Sequence, residues 1–153
     1  MSPPPPRAWR LAAALCLFVV ALDQGAKALV EGSLALGEEV DVLGPLSLTL
    51  SHNRGAAFGL AGGAGVGLAL LAVVALALVG FLFARDPGRR GMWIAVGLVG
   101  GGAIGNLIDR VRAGEVTDYV DLPHWPPFNL ADVAIVAGVV LLAAIYLREG
   151  GAR

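Results

Sequence analysis

Four long apolar runs alternate with short polar stretches along this chain, and their lengths set its architecture before any single residue is considered. A membrane-spanning helix needs about 20 apolar residues at about 1.5 Å rise each. Residues 9–30, 61–84, 91–108 and 128–147 meet that requirement. The run "AGGAGVGLALLAVVALALVGFLFA" carries no charge and stops at "RDPGRR", a charged Pro/Gly turn that cannot remain in lipid. Between the first two runs, "PLSLTLSH" sets leucines at 46, 48 and 50 between small polar residues. That period of two predicts a short sheet, half buried against the membrane surface. "VDLPHWPP" contains Pro123, Pro126 and Pro127, which predicts extended, non-helical chain up to Phe128.

The pattern predicts an all-α integral membrane protein: a four-transmembrane-helix bundle with a small extracytoplasmic β-sheet between the first two spans. One membrane domain covers residues 1–153, with extracytoplasmic loops at 31–60 and 109–127. Composition agrees, since 57% of the residues are hydrophobic and 15% charged. The mean hydropathy is +0.76, a value no soluble domain of this size tolerates on its surface. Seven of the eleven basic residues lie at the N-terminus (Arg7, Arg10), between the second and third spans (Arg85, Arg89, Arg90) and at the C-terminus (Arg148, Arg153). With four spans these places share one side, and the positive-inside rule makes it the cytoplasm. Trp9, Trp93 and Tyr146 then fall at the inner boundary and Trp125 at the outer one, as an aromatic belt requires.

The start, "MSPPPPRAWRLAAALC", resembles a secretory or lipoprotein leader, but Leu15 precedes the cysteine where a small residue is wanted, and the apolar run continues to Val20. Cys16 is therefore expected as a buried helix residue. As the only cysteine it excludes an internal disulfide. Only His52 and His124 are present, with no HExxH pair, so a zinc hydrolase is not expected. Neither a metal nor a cofactor is called for, nor nucleic acid as a partner.

Polar residues inside or beside the apolar runs carry the functional signal. Asp23 and Lys27, four residues apart near the outer end of the first span, share a helix face and can pair. "HNRGAAFG" brings Asn53 and Gly55 to the outer face, "GNLIDR" ends the third span with Asn106, Asp109 and Arg110, "VTDY" adds Asp118, and "FNLAD" adds Asn129 and Asp132. Each alone has a bland reading. Asn129 could cap the last helix, and Asp132 could favour its positive end. Five chain segments setting amides and opposite charges at one depth point instead to a shared polar site. "GLVGGGAIG" formally contains G-x-G-x-x-G, but it lies in a span with no preceding strand, which excludes a dinucleotide fold. Gly97, Gly101 and Gly105 rather form a small-residue face that lets helices approach closely and draws Asn106 and Asp109 toward neighbouring spans.

A serine nucleophile with Lys27 as base is a poor fit, because Ser33, Ser47 and Ser51 lie outside the polar cluster. The surplus of carboxylates suits acid–base chemistry: two carboxyl groups held together cannot both ionise, so one keeps a proton while the other acts as base. A small ion- or proton-coupled transporter is the rival, although such sites lie near the midplane and the polar residues here are all outer. A structural membrane subunit is the third reading, and it predicts that the aspartates tolerate asparagine.

The blocks "DQGAK", "HNRGAAFG", "GNLIDR", "VTDYV" and "FNLAD" resemble, in order and position, those of the bacterial lipoprotein signal peptidases, signal peptidase II. The resemblance runs from Asp23 to the last span. It implies a multi-pass inner-membrane aspartyl endopeptidase, a monomer with both termini cytoplasmic and its active site near the extracytoplasmic face. Its substrates would be diacylglyceryl-modified prolipoproteins, cut before the lipidated cysteine, and membrane lipid its other partner. By this match Asp118 and Asp132 are the catalytic pair, and Asp23, Lys27, Asn53, Gly55, Asn106, Asp109, Arg110 and Asn129 support them. The implied mechanism is direct attack by water. The lipid-facing side of the outer loop near Phe58 is expected to contact substrate acyl chains. Tyr119, where phenylalanine is common, and the short stretch between Asp118 and Asp132 depart from the family pattern.

Overall fold

The computed structural model describes residues 5–55 and 64–150. In chain order the elements are α1 (Pro5–Ser33), β1 (Glu39–Leu43), β2 (Leu46–Asn53), α2 (Ala64–Arg85), α3 (Met92–Ala113), β3 (Val116–Leu122), β4 (Trp125–Phe128) and α4 (Leu130–Gly150). The four helices coincide with the four apolar runs and are long and apolar enough to cross a membrane. Leu70, Leu71, Val73, Val74, Leu78 and Phe81 of α2 stay exposed, as do Val133, Val136, Val139, Val140 and Leu147 of α4. Lipid, not water, suits such surfaces. α3 is the central helix, packed against α1, α2 and α4.

Two boundaries differ from the sequence expectation. α3 continues to Ala113, past the 108 expected, so Asp109 and Arg110 lie in its last turns instead of opening a loop. Gly114 stops it there, at φ 77 with its N–H on the Arg110 carbonyl, a left-handed cap suited to glycine. The stretch 109–127 was expected as a loop, but most of its remainder folds as β3 and the start of β4. The sheet is antiparallel in the order β1-β2-β3-β4, so the second outer segment doubles the sheet expected in the first. Pro126 and Pro127 cannot donate to a ladder, and they are accommodated on the edge strand β4. The hairpin turns at Pro123 and His124, the latter at φ 65.

Within β2 the leucine pattern is only partly realised. Leu50 is buried, but so are Ser47 and Thr49, while Leu46 and Leu48 are half-buried. The register with β3 shifts between Leu48 and Ser51, and such a bulge interrupts the strict alternation. Leu50 joins Val30 and Tyr119 in a cluster that ties the sheet to α1. At the opposite end of the bundle Ala8, Ala12, Phe83 and Met92 form an apolar plug. There Trp9 lies against Phe83 with ring centroids 4.5 Å apart. Cys16, expected to be buried, is half-buried and free.

The glycine face of α3 meets α1 as its spacing suggested. A Cβ on Gly101 would sit 2.6 Å from the Val19 Cβ and 2.9 Å from the Cys16 carbonyl oxygen, and one on Gly105 would sit 2.6 Å from Asp23 Oδ2. Gly101→Ala is therefore expected to lower the thermal midpoint in detergent, at a cost of about 1–3 kcal/mol from overpacking against backbone. Gly80→Ala in α2, where a Cβ meets nothing within 4 Å, should leave the midpoint unchanged or raise it. Equal responses of the two variants would refute the close approach of α1 and α3.

Candidate active site

The first turn of α4 is where the site is built. A helix N-terminus leaves four N–H groups without partners inside the helix, and here each finds one from a different source. Leu130 N–H donates to the Tyr119 hydroxyl at 3.3 Å, Ala131 N–H to Asp23 Oδ1 at 3.0 Å, and Asp132 N–H to Asn129 Oδ1 at 2.9 Å. Val133 N–H makes the first bond within the helix, to the Asn129 carbonyl at 3.3 Å. Asn129 N–H returns a bond to Asp132 Oδ2 at 3.2 Å, which completes a reciprocal capping arrangement. The bland role foreseen for Asn129 and Asp132 is thus real, and the same atoms form the polar site.

From that cap the network spreads to four other segments. Asn129, fully buried, donates through Nδ2 to Asp118 Oδ1 at 2.7 Å and to Asn106 Oδ1 at 3.1 Å. Asn106 Nδ2 donates to Asp132 Oδ1 at 2.8 Å. Asp118 receives a further bond on Oδ2 from Asn53 Nδ2 at 3.0 Å. Both aspartates are therefore anchored on Asn129, and each has a second amide donor from another segment.

Beneath them Lys27 Nζ lies 2.7 Å from Asp23 Oδ2, 2.7 Å from Asp109 Oδ2 and 3.1 Å from Asn106 Oδ1. Three protons meet three acceptors, so the ammonium is fully satisfied although almost wholly buried. Arg110 is half-buried, bonded to the Asn106 carbonyl at 3.3 Å, and within electrostatic range of Asp132, Asp118 and Asp109. Gly55, at φ 77, donates its N–H to Asn53 Oδ1 at 2.8 Å. That bond occupies the amide oxygen of Asn53 and turns its NH₂ toward Asp118.

All ten residues singled out from the sequence therefore meet at one end of the bundle. Phe58 lies outside the described residues. Sequence reasoning missed Gln24, whose Nε2 reaches Asp109 Oδ1 at 2.8 Å and the Gly105 carbonyl at 3.3 Å. Its position between Asp23 and Lys27 was the available signal. It also missed Thr117, whose N–H donates to Asp109 Oδ2 and whose hydroxyl donates to Glu31 Oε1 at 2.6 Å. The departure at Tyr119 acquires a reason, since only a hydroxyl there can receive Leu130 N–H. The short stretch between the aspartates closes through the β3–β4 turn.

Burial pushes the Asp118 carboxyl up to about 6, with the charge of Asp132 adding to the rise and the bonds from Asn53 and Asn129 opposing it. A carboxyl group that titrates near neutrality, beside a second one, can both hold and release a proton under working conditions. Among the described residues no group of three His, Cys, Asp or Glu side chains could hold a metal ion.

Fold and site together define a multi-pass membrane protein with a paired-carboxylate site at one end of its helical bundle. A family model for signal peptidase (SPase) II matches residues 15–148. The lipoprotein signal peptidase of Moorella thermoacetica is 42% identical over 139 residues, covering 90% of this chain and 93% of that protein. That of Geobacter sulfurreducens is 40% identical over 151 residues, covering 92% and 94%. A bacterial membrane enzyme solved by the in meso method at 1.9 Å resolution superposes with a TM-score of 0.83 at 31% identity, covering 89% of this chain and 92% of that one. This chain belongs to the signal peptidase II family of aspartic peptidases, peptidase A8.

Proposed function

We propose that this protein removes the signal peptide from diacylglyceryl-modified prolipoproteins, cutting before the lipidated cysteine, with Asp118 and Asp132 as its catalytic pair. The observation that carries the assignment is the anchoring of both carboxyl groups on Asn129. The ionised aspartate takes a proton from the attacking water while the protonated one polarises the scissile carbonyl. The roles then reverse, and the leaving amine is protonated. No covalent intermediate forms. Asn53, Asn106 and Asn129 hold the pair in register, and Lys27 neutralises Asp23 and Asp109 beneath it. Because the pair titrates jointly, its pH profile belongs to both groups. The arginine-rich ends of the chain and the α2–α3 turn support an orientation with both termini cytoplasmic and the site at the extracytoplasmic face of the inner membrane. A transporter would need a polar path through the bundle, and the plug around Phe83 and Met92 argues against one.

A signal helix can then approach sideways through the bilayer, with its acyl chains adding a part, set by competition with lipid, of the about 0.8 kcal/mol per CH₂ that burial from water yields. Realising only about 1.4 kcal/mol of this is worth tenfold. The unlipidated precursor should accordingly be cut at least about tenfold more slowly than the lipidated one in the same detergent, measured as initial rates. Equal rates would leave the lipid no part in recognition and point to a general membrane protease.

A further inference from the structure

We infer that Glu115 is a positioning residue for the peptidase site and acts through Asn53. The inference rests on the reading of Asp118 as one of the catalytic pair. β2 and β3 run antiparallel with Ser51 opposite Asp118, His52 opposite Thr117 and Asn53 opposite Val116. Asn53 is the last residue of its strand, and it must reach Asp118 diagonally, two residues along the partner strand. The ladder ends at Asn53, so strand pairing alone does not set that angle.

Glu115, immediately before β3, supplies the missing restraint. Its Oε1 accepts from His52 Nδ1 at 2.8 Å and its Oε2 from Arg54 Nε at 2.6 Å. The pleat puts His52 on one face of the strand and Asn53 on the other, and Arg54, just past the strand's end, joins His52 on Glu115. One carboxylate therefore grips both neighbours of Asn53, with a separate oxygen for each. The Gly55 N–H fixes the remaining freedom by binding Asn53 Oδ1, so the NH₂ has one direction left, toward Asp118 Oδ2. A histidine Nδ1–H can donate from the neutral ring as well as from the charged one. Arg54 is 80% exposed, and exposed ion pairs of this kind add little to stability. Its geometric consequence, the setting of one amide against Asp118, is larger than its contribution to holding the fold.

The test is a double-mutant cycle on the full-length purified protein, with kcat, KM and the pH profile of kcat measured on a lipidated precursor. Glu115→Ala should lower kcat about tenfold with KM little changed, and Asn53→Ala should lower it by at least as much. Loss of the Asn53 bond removes an influence that favours ionised Asp118. In both variants the acidic limb of the pair's joint profile, to which Asp118 contributes and which Asp132, Lys27 and Arg110 face, should therefore move to higher pH. The double variant should be no slower than Asn53→Ala alone, because both changes interrupt the same contact. Glu115→Gln, which keeps the shape and one acceptor oxygen, should fall between wild type and Glu115→Ala and guards against a folding defect. Multiplicative losses in the double variant, a change confined to KM, or an unshifted pH profile in Glu115→Ala would overturn the inference. An active Asp118→Asn enzyme would instead overturn the catalytic assignment itself, so the two failures are distinguishable.

Discussion

Asp118→Asn and Asp132→Asn are each expected to reduce cleavage by about 10³-fold or more while leaving a folded, membrane-inserted protein. A general acid or base contributes roughly 10²–10⁴, and here one pair must serve as both within a single turnover. Burial raises the Asp118 carboxyl to about 6, above the 3.8 of a free aspartate. Ionised Asp118 is thus disfavoured by folding. The penalty is absent below about pH 3.8 and grows as pH rises toward 6, so at neutral pH the uncharged amide of the Asp118→Asn variant is relieved of it. Against that gain, an asparagine amide cannot accept from both Asn53 and Asn129 through separate oxygens, a loss of about 1 kcal/mol. The opposing effects leave thermal stability near that of the parent, and a lost activity is then chemical. Rates and thermal midpoints measured on the same preparations decide the matter. Near-normal turnover in either variant would sink the dyad and favour a structural role for the aspartates.

Lys27→Met should have the largest effect on stability. The sole lysine of the chain lies between two buried carboxylates at 2.7 Å each. Removing it leaves Asp23 and Asp109 facing one another in a site from which water is largely excluded. Breaking a buried pair in this way costs about 3–5 kcal/mol, a large part of the roughly 5–15 kcal/mol that typically separates folded from unfolded protein. Yield of monodisperse protein and thermal midpoint in detergent should both fall sharply. Adding Asp23→Asn and Asp109→Asn to Lys27→Met should recover much of the loss, because the stranded charges are gone and the amide introduced at position 23 still offers an oxygen to Ala131 N–H. A Lys27→Met protein with an unchanged midpoint would show that the carboxylates do not depend on the ammonium.

The sequence determined the four spans, because a helix in lipid must satisfy its backbone internally and reveals itself by length and apolarity alone. It also marked ten residues of the polar cluster, from Asp23 to Asp132. An amide or carboxylate beside hydrocarbon is costly enough to stand out, and an i,i+4 pair such as Asp23 and Lys27 is a purely local matter. The glycine spacing of α3 likewise reported its close face, since small residues every fourth position lie on one side of a helix. Only the tertiary structure decided that β3 and β4 extend the sheet, because pairing partners distant in sequence leave no mark on a proline-rich segment. It also decided that Asp23 of α1 completes the cap of α4, that Tyr119 receives Leu130 N–H, and that Gln24, Thr117 and Glu115 enter the network. Those contacts join residues from 11 to 108 positions apart, apart from the eight-residue link of Thr117 to Asp109. A hydrogen bond depends on a few tenths of an ångström and an angle, and neither exists until the helices have packed.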